Sequence, residues 1–454
     1  MDVEAHLREA AEADDRDAVW AALRPLASLV TEDARVARMW AEALRTSPER
    51  PELEEEASAI LEAFAAEPTI VGAACDALVR KAGRRPIDEP PLDARAAALA
   101  AEAAGRCYAK LPPSDRDDPD LGGALLALKG NALRALGPKR LPDAVRALEA
   151  ALALEPRGAW WFDLGLTHKH ARAWAPMRDA SRRALEASGG GHRGAAFHVA
   201  VASTALGDGP GAAEAWRAVG IEARAEPGSL PLVEGLPPAQ VRLPTLGSGA
   251  APSRAVDVAL PDDAAGFEVV WVQPLSPCHG VVRSPTHRDA MADFGDVVLF
   301  DPAPVAVVER DGSPVPRFAF LGRLRAGDER RFRFMAMQQT SGEVEALAGA
   351  LPDEVILYPH GERVEMVCPR CAAGDTLVKH EHLPAEAHRV VFGKLVVPAA
   401  IDLDELAAAL DAALKAHPGV LLAIPGLHEA RGDTPTAGKH HKRWGAIART
   451  AAGR

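Results

Sequence analysis

The side chains best suited to chemistry sit late in the chain. Cys368-Pro-Arg-Cys371 sets two thiols two residues apart on a turn stiffened by proline, and Gly374 lets the backbone fold back behind them. Two thiolates at this spacing share one tetrahedral Zn²⁺ and need two more ligands. His380 and His382 supply imidazoles from one side of an extended Lys-His-Glu-His run, and Cys278, beside His279, supplies a third thiol. The expected site is a structural zinc on Cys368, Cys371, Cys278 and either His380 or His382. It would contribute on the order of 10 kcal/mol of folding free energy and lock two modules together. The alternatives are an ordinary buried Cys278, a solvated loop around His380 and His382, and a dithiol redox pair at Cys368 and Cys371.

Ten of the fifteen histidines follow residue 278, which opens an enzymatic reading. Cys278 would be a nucleophile activated by His287 or another imidazole, a zinc-bound water near His380 and His382 would serve a hydrolase, or His287 with Asp289 and Asp293 would hold a divalent ion or move protons. None of these sets has a diagnostic spacing, and the chain has no GxSxG elbow, phosphate-binding GxxxxGK[ST] loop or HExxH helix. The last residues, from Gly438, carry Lys439, Lys442, Arg443, Arg449 and Arg454 around Trp444 with no acid. Such a basic aromatic cluster would suit a nucleic-acid adaptor. The favoured expectation is that Trp444 and Ile447 dock on the preceding domain and leave the cations in water.

The elements that must position these residues change character along the chain. Up to residue 225, apolar residues recur at three- and four-residue spacing, broken every dozen residues by Pro, Gly or Asp, which predicts short helices over Asp17–Val30, Ala34–Arg45, Pro51–Ala65 and Ile70–Lys81. From Leu121 the spacing resembles tetratricopeptide repeats, helical hairpins with a unit of 34 residues. Gly130, Leu133, Ala144, Leu148, Ala151 and Pro156 fit one unit. Trp161, Leu164, Gly165, Ala180, Ala184 and Ala187 fit the next, and Val199, Ala200, Leu206-Gly207-Asp208, Ala212 and Trp216 a third. The resemblance implies a curved α-solenoid over 1–225 whose first helices line a groove for a protein or peptide. By that register Asn131, Arg134, Phe162, Lys169, His170, Phe197 and Thr204 face the groove, the alternative for each being packing between repeats or facing solvent.

Residues 226–253 are rich in Pro, Gly and Ser and read as a linker. Strand-like runs follow at Phe267–Val272, Gly280–Arg283, Asp296–Phe300, Val305–Glu309 and Arg317–Gly322, with Asp311-Gly312 as a hairpin turn, so 254–328 is expected to be a small β-barrel or sandwich. From 329 to 430 the order is βαββαβ, most economically a ferredoxin-like sandwich carrying a CxxC segment that resembles a zinc knuckle. Residues 431–454 form the basic tail. The predicted class is multidomain, all-α followed by α+β.

Composition bounds the rest. Apolar stretches are interrupted by charge or Pro well short of the ~18 residues of a membrane span. The acidic start MDVEAHLREAAEADDRD lacks the basic and apolar runs of a signal peptide, and five cysteines are too few for a disulfide scaffold. A cytoplasmic location is expected. Of the net charge of −12, residues 1–120 hold 26 acids against 15 bases, a balance of −11. The leading expectation is an interaction or scaffold protein that binds an unidentified protein or peptide without turnover.

Overall fold

The structure is a computed structural model that describes residues 2–83, 93–246, 266–367 and 386–451. Helices fill the first part: α1 (Val3–Glu12), α2 (Arg16–Leu23), α3 (Ala34–Thr46), α4 (Leu53–Ala63), α5 (Pro68–Ala82), α6 (Ala94–Lys110), α7 (Pro113–Arg116), α8 (Ala124–Ala135), α9 (Leu141–Leu154), α10 (Gly158–His170), α11 (Trp174–Ala187), α12 (Arg193–Ala205) and α13 (Gly209–Ala218). Asp33, Asp93 and Asp208 cap three of them by accepting hydrogen bonds from first-turn amides. The expected helix 17–30 is divided. Pro25 has no N–H to continue the ladder, so Arg24–Leu29 tightens into a 3-10 turn after α2.

The last six helices form three hairpins whose first members start at residues 124, 158 and 193, intervals consistent with a helical repeat. Glycine is required where helices of a hairpin touch. A Cβ on Gly130 would lie 2.6 Å from Leu148 Cγ, and one on Gly165 would lie 2.7 Å from Ser181 Oγ. The core passes from hairpin to hairpin: Leu126, Leu148, Trp160 and Leu164 form one cluster, and Trp174, Val199, Ala200 and Trp216 belong to the next.

Five strands follow: β1 (Ala239–Pro244), β2 (Phe267–Ser276), β3 (His279–Val282), β4 (Val297–Arg310) and β5 (Ser313–Arg325). They hydrogen-bond in sequence, and β1 closes the ring by pairing in parallel with β5, giving a closed barrel. Val241, Leu243, Val270, Val272, Val282, Val298, Phe300 and Phe320 cluster inside. The expected linker 226–253 therefore contains a barrel strand. Its six residues AQVRLP have strand character, but the flanking prolines gave the region the composition of a spacer. Two expected strands, Asp296–Phe300 and Val305–Glu309, join as β4, which reverses into β5 through Asp311 (φ 50°) and Gly312 (φ 76°).

The remaining elements are β6 (Arg330–Gln338), α14 (Glu343–Ala348), β7 (Ile356–Val367), β8 (Glu386–Val397), α15 (Leu403–Ala416), β9 (Leu421–Ala423), α16 (Pro425–Ala430) and α17 (Thr434–Ala451). The strands make one antiparallel sheet in the order β7-β8-β6-β9. Alternation along β6 divides its two faces. Phe332, Phe334 and Ala336 meet Val344 and Leu347 of α14 and Leu406 and Leu410 of α15, whereas Met335 and Met337 meet Trp444 and Ile447 of α17. Among the described residues no helix is long and apolar enough to cross a membrane.

Candidate functional site

The seven residues expected to line a groove divide into three groups. Asn131 and Arg134 on α8 reach α10 instead of standing free: Asn131 Nδ2 donates to Asp163 Oδ2 at 2.9 Å, and Arg134 donates to Asn131 Oδ1 at 2.7 Å and to the Asp163 carbonyl at 3.2 Å. Phe162 likewise bridges α10 and α12, stacked between His192 and His198 with ring centroids 4.4 and 4.8 Å away. Phe197 turns toward its own hairpin, edge-on to Trp216 at 5.2 Å. His170 is half-buried at the end of α10.

Lys169 and Thr204 form the third group, and what they meet is the barrel. Lys169 Nζ lies 2.5 Å from Asp301 Oδ2 on β4, with 9% and 16% of the two side chains exposed. The Cys278 thiol donates to Thr204 Oγ1 at 3.5 Å. Around this pair, Leu299, Ala319 and Leu321 of the barrel share a core with Val199, Ala200 and Trp216 of the helices. Arg172, between α10 and α11, reaches the Phe320 carbonyl at 3.4 Å from a left-handed backbone (φ 55°), a strained conformation for arginine. The first-helix face of the last two hairpins thus already holds polypeptide, supplied by the same chain.

Cationic side chains gather beside His198 on that face. His198 is held well below its usual pKa by burial first and then by Lys169, Arg134 and His192. Residues 121–225 carry fourteen Lys and Arg against nine Asp and Glu, a balance of +5, opposite in sign to the first 120.

Cys278 is fully buried, and burial pushes its thiol up to about 11. A nucleophile needs thiolate and access, and this thiol has neither. Ser276 Oγ and His279 Nδ1 lie 2.6 Å apart beside it, and burial lowers His279 to about 4. The trio is a closed polar seam. Its supposed activator His287 is on another side of the barrel, packed on His360 and Phe392 of the sheet at 5.4 and 4.8 Å.

Asp289 and Asp293, offered with His287 as ion ligands, instead bind cations of the sheet. Asp289 pairs with Arg333 at 2.8 Å, and Asp293 pairs with buried Lys394, which also donates to Thr286 Oγ1 at 2.6 Å. Next to them Asp296, 1% exposed, accepts from Arg331 and the Gly327 amide at 2.8 Å each and from Arg323 at 3.5 Å. Barrel and sheet are clasped by these ion pairs.

Cys368, Cys371, His380 and His382 lie outside the described residues. Among the described residues no three of His, Cys, Asp and Glu gather as a metal set, and Cys75, Cys107 and Cys278 are free thiols. In the expected tail, Arg443 donates to the Leu422 carbonyl at 2.6 Å and His440 Nδ1 accepts from the Ile424 amide at 2.9 Å. Ile447 is fully buried. Lys439 and Lys442 face solvent.

Sequence reasoning missed Asp301, Arg172, Asp296 and Lys394. Asp301 had one available signal, an acid between the apolar run Val297–Phe300 and Pro302. No family model matches the chain, and no curated protein is significantly similar to it.

Proposed function

We propose that this chain is an interaction protein whose hairpins form a tetratricopeptide-like array that captures a partner segment on its first-helix face. The observation that carries this reading is the face's existing cargo, the Asp301 segment of β4, held by Lys169 and by packing around Thr204. The partner's share of the face is its upstream part on α8 and α10, where Asn131, Arg134 and Phe162 are half-buried. The strand order β7-β8-β6-β9 with α14 and α15 on one face supports reading this part as a ferredoxin-like sandwich, serving as a body beside the barrel.

The same reading includes a structural zinc. Val367 and Glu386 pair on one rung of β7 and β8, so the segment carrying Cys368, Cys371, His380 and His382 begins and ends at one point. Two thiolates and two imidazoles make a complete tetrahedral set. Cys278, committed to Thr204 and Ser276, is not needed. Free buried thiols suit a reducing compartment such as the cytoplasm.

Affinity capture with the full chain tests the binding reading. Arg134→Glu, assayed at a temperature where its melting curve shows it folded, is expected to lose a partner that the wild type retains, and equal capture by both would overturn the assignment of the face. Zinc content is expected near one per chain and near zero in Cys368→Ser/Cys371→Ser. Equal zinc in the two would remove the metal.

A further inference from the structure

The barrel does not present a regular strand to the hairpins. Phe300 pairs with Phe320 and Pro304 with Phe318, so Asp301, Pro302 and Ala303 stand opposite the single residue Ala319. Three residues against one force the strand out as a bulge. Asp301 turns the bulge on itself, since its Oδ1 accepts the Ala303 amide at 3.1 Å. Pro302 and Pro304 bring no N–H to the ladder and hold the segment extended. The second carboxylate oxygen, Oδ2, is the atom that meets Lys169 Nζ at 2.5 Å.

On the helix side, Lys169 is 7% exposed. A buried ammonium without a counter-ion is costly, so the face favours a carboxylate there.

We infer that Asp301–Ala303 is a resident ligand of a carboxylate-reading site built on Lys169, and that the external ligand of this site is an acidic segment of a partner protein whose carboxylate takes the place of Asp301. This rests on the binding reading above and adds the chemistry of the partner. Leu299, Ala319 and Leu321 remain packed on the helices while the exchange takes place, so only the bulge has to move. A tethered ligand competes at an effective concentration in the millimolar range, so the wild type favours its own segment, and removing the Asp301 carboxylate frees the site.

The test uses a fluorescein-labelled peptide copying Phe300–Ala306, FDPAPVA, and the full chain, read by fluorescence anisotropy. Asp301→Ala is expected to bind it at least tenfold more tightly than the wild type. Adding Lys169→Met to that variant should abolish the gain, and a peptide with Asn in place of Asp should not bind. Asp301→Asn, which keeps the side-chain shape and the turn to Ala303, replaces Asp301→Ala if the latter does not fold. A folded Asp301 variant that binds no better than wild type, or that takes the Asn peptide equally well, would overturn the inference. Because Arg134→Glu leaves Lys169 and Asp301 in place, partner capture on α8 and α10 stands or falls separately from this result.

Discussion

The barrel is held on two sides by opposite means. Toward the helices it offers an apolar surface, Leu299, Ala319 and Leu321 against Val199 and Trp216, with one buried ion pair, Lys169–Asp301. Toward the sheet it offers carboxylates: Asp289 to Arg333, Asp293 to Lys394 and Asp296 to Arg331, with Arg323 of the barrel's own β5 also beside Asp296. An apolar junction is insensitive to salt and does not depend on any one residue. A charged junction concentrates its stability in whichever pairs are buried, because removing one partner leaves the other unpaired in a poor solvent. The lesson is that exposure, more than the number of ion pairs, should decide what each junction is worth.

The strongest way to break that contrast is Asp296→Ala. It removes the carboxylate that Arg331 and Arg323 share at a site 1% exposed, together with the acceptor of the Gly327 amide, so a loss of about 3–5 kcal/mol is expected in denaturant unfolding. A loss below about 1 kcal/mol would mean the clasp is solvated.

Acidity should act through the buried histidines, His279 of the barrel among them. His279 is neutral in the fold, with its pKa lowered from 6.5 to about 4 by burial. Its depressed value means the folded state resists protonation. The associated stability is fully present above about 6.5 and is lost as pH falls toward about 4, by up to about 3 kcal/mol. His279→Asn should reduce the slope of the unfolding free energy over that window, with His360 and His440 supplying the rest, and a slope identical to wild type would show that His279 does not contribute.

The smallest effect is expected at Arg333, whose pair with Asp289 has side chains 47% and 53% exposed. Arg333→Ala should cost below about 1 kcal/mol and lose even that in high salt. Together with Asp296→Ala it sharpens the comparison, since both remove charge from the region between barrel and sheet, one at a buried site with several partners and one at an exposed single pair.

Local pattern was legible and long-range docking was not. The periodicity that marks 34–45 and 70–81 is a property of each segment, and α3 and α5 follow it closely. The repeat register identified the first helices of the hairpins through Gly130 and Gly165, where Leu148 and Ser181 leave no room for a side chain. Which partner each first-helix residue meets depends on a fold-level fact, the barrel's docking, that joins Lys169 to Asp301 and Arg172 to Phe320 across long stretches of chain. Rare Cys and His residues stand out in the sequence, whereas one Asp among many does not. Asp296 follows Gly295, whose backbone is left-handed (φ 82°), and so enters β4 from a turn that aims its carboxylate into the clasp.

The most direct test of the hairpin–barrel contact is a double-mutant cycle on Lys169 and Asp301, with Lys169→Met, Asp301→Asn and the pair together measured by denaturant unfolding. A buried pair in contact predicts a coupling of about 1–3 kcal/mol, so that the double variant is destabilised by clearly less than the sum of the singles. Strictly additive losses, with coupling near zero, would contradict the claim that the first-helix face holds the barrel's own carboxylate.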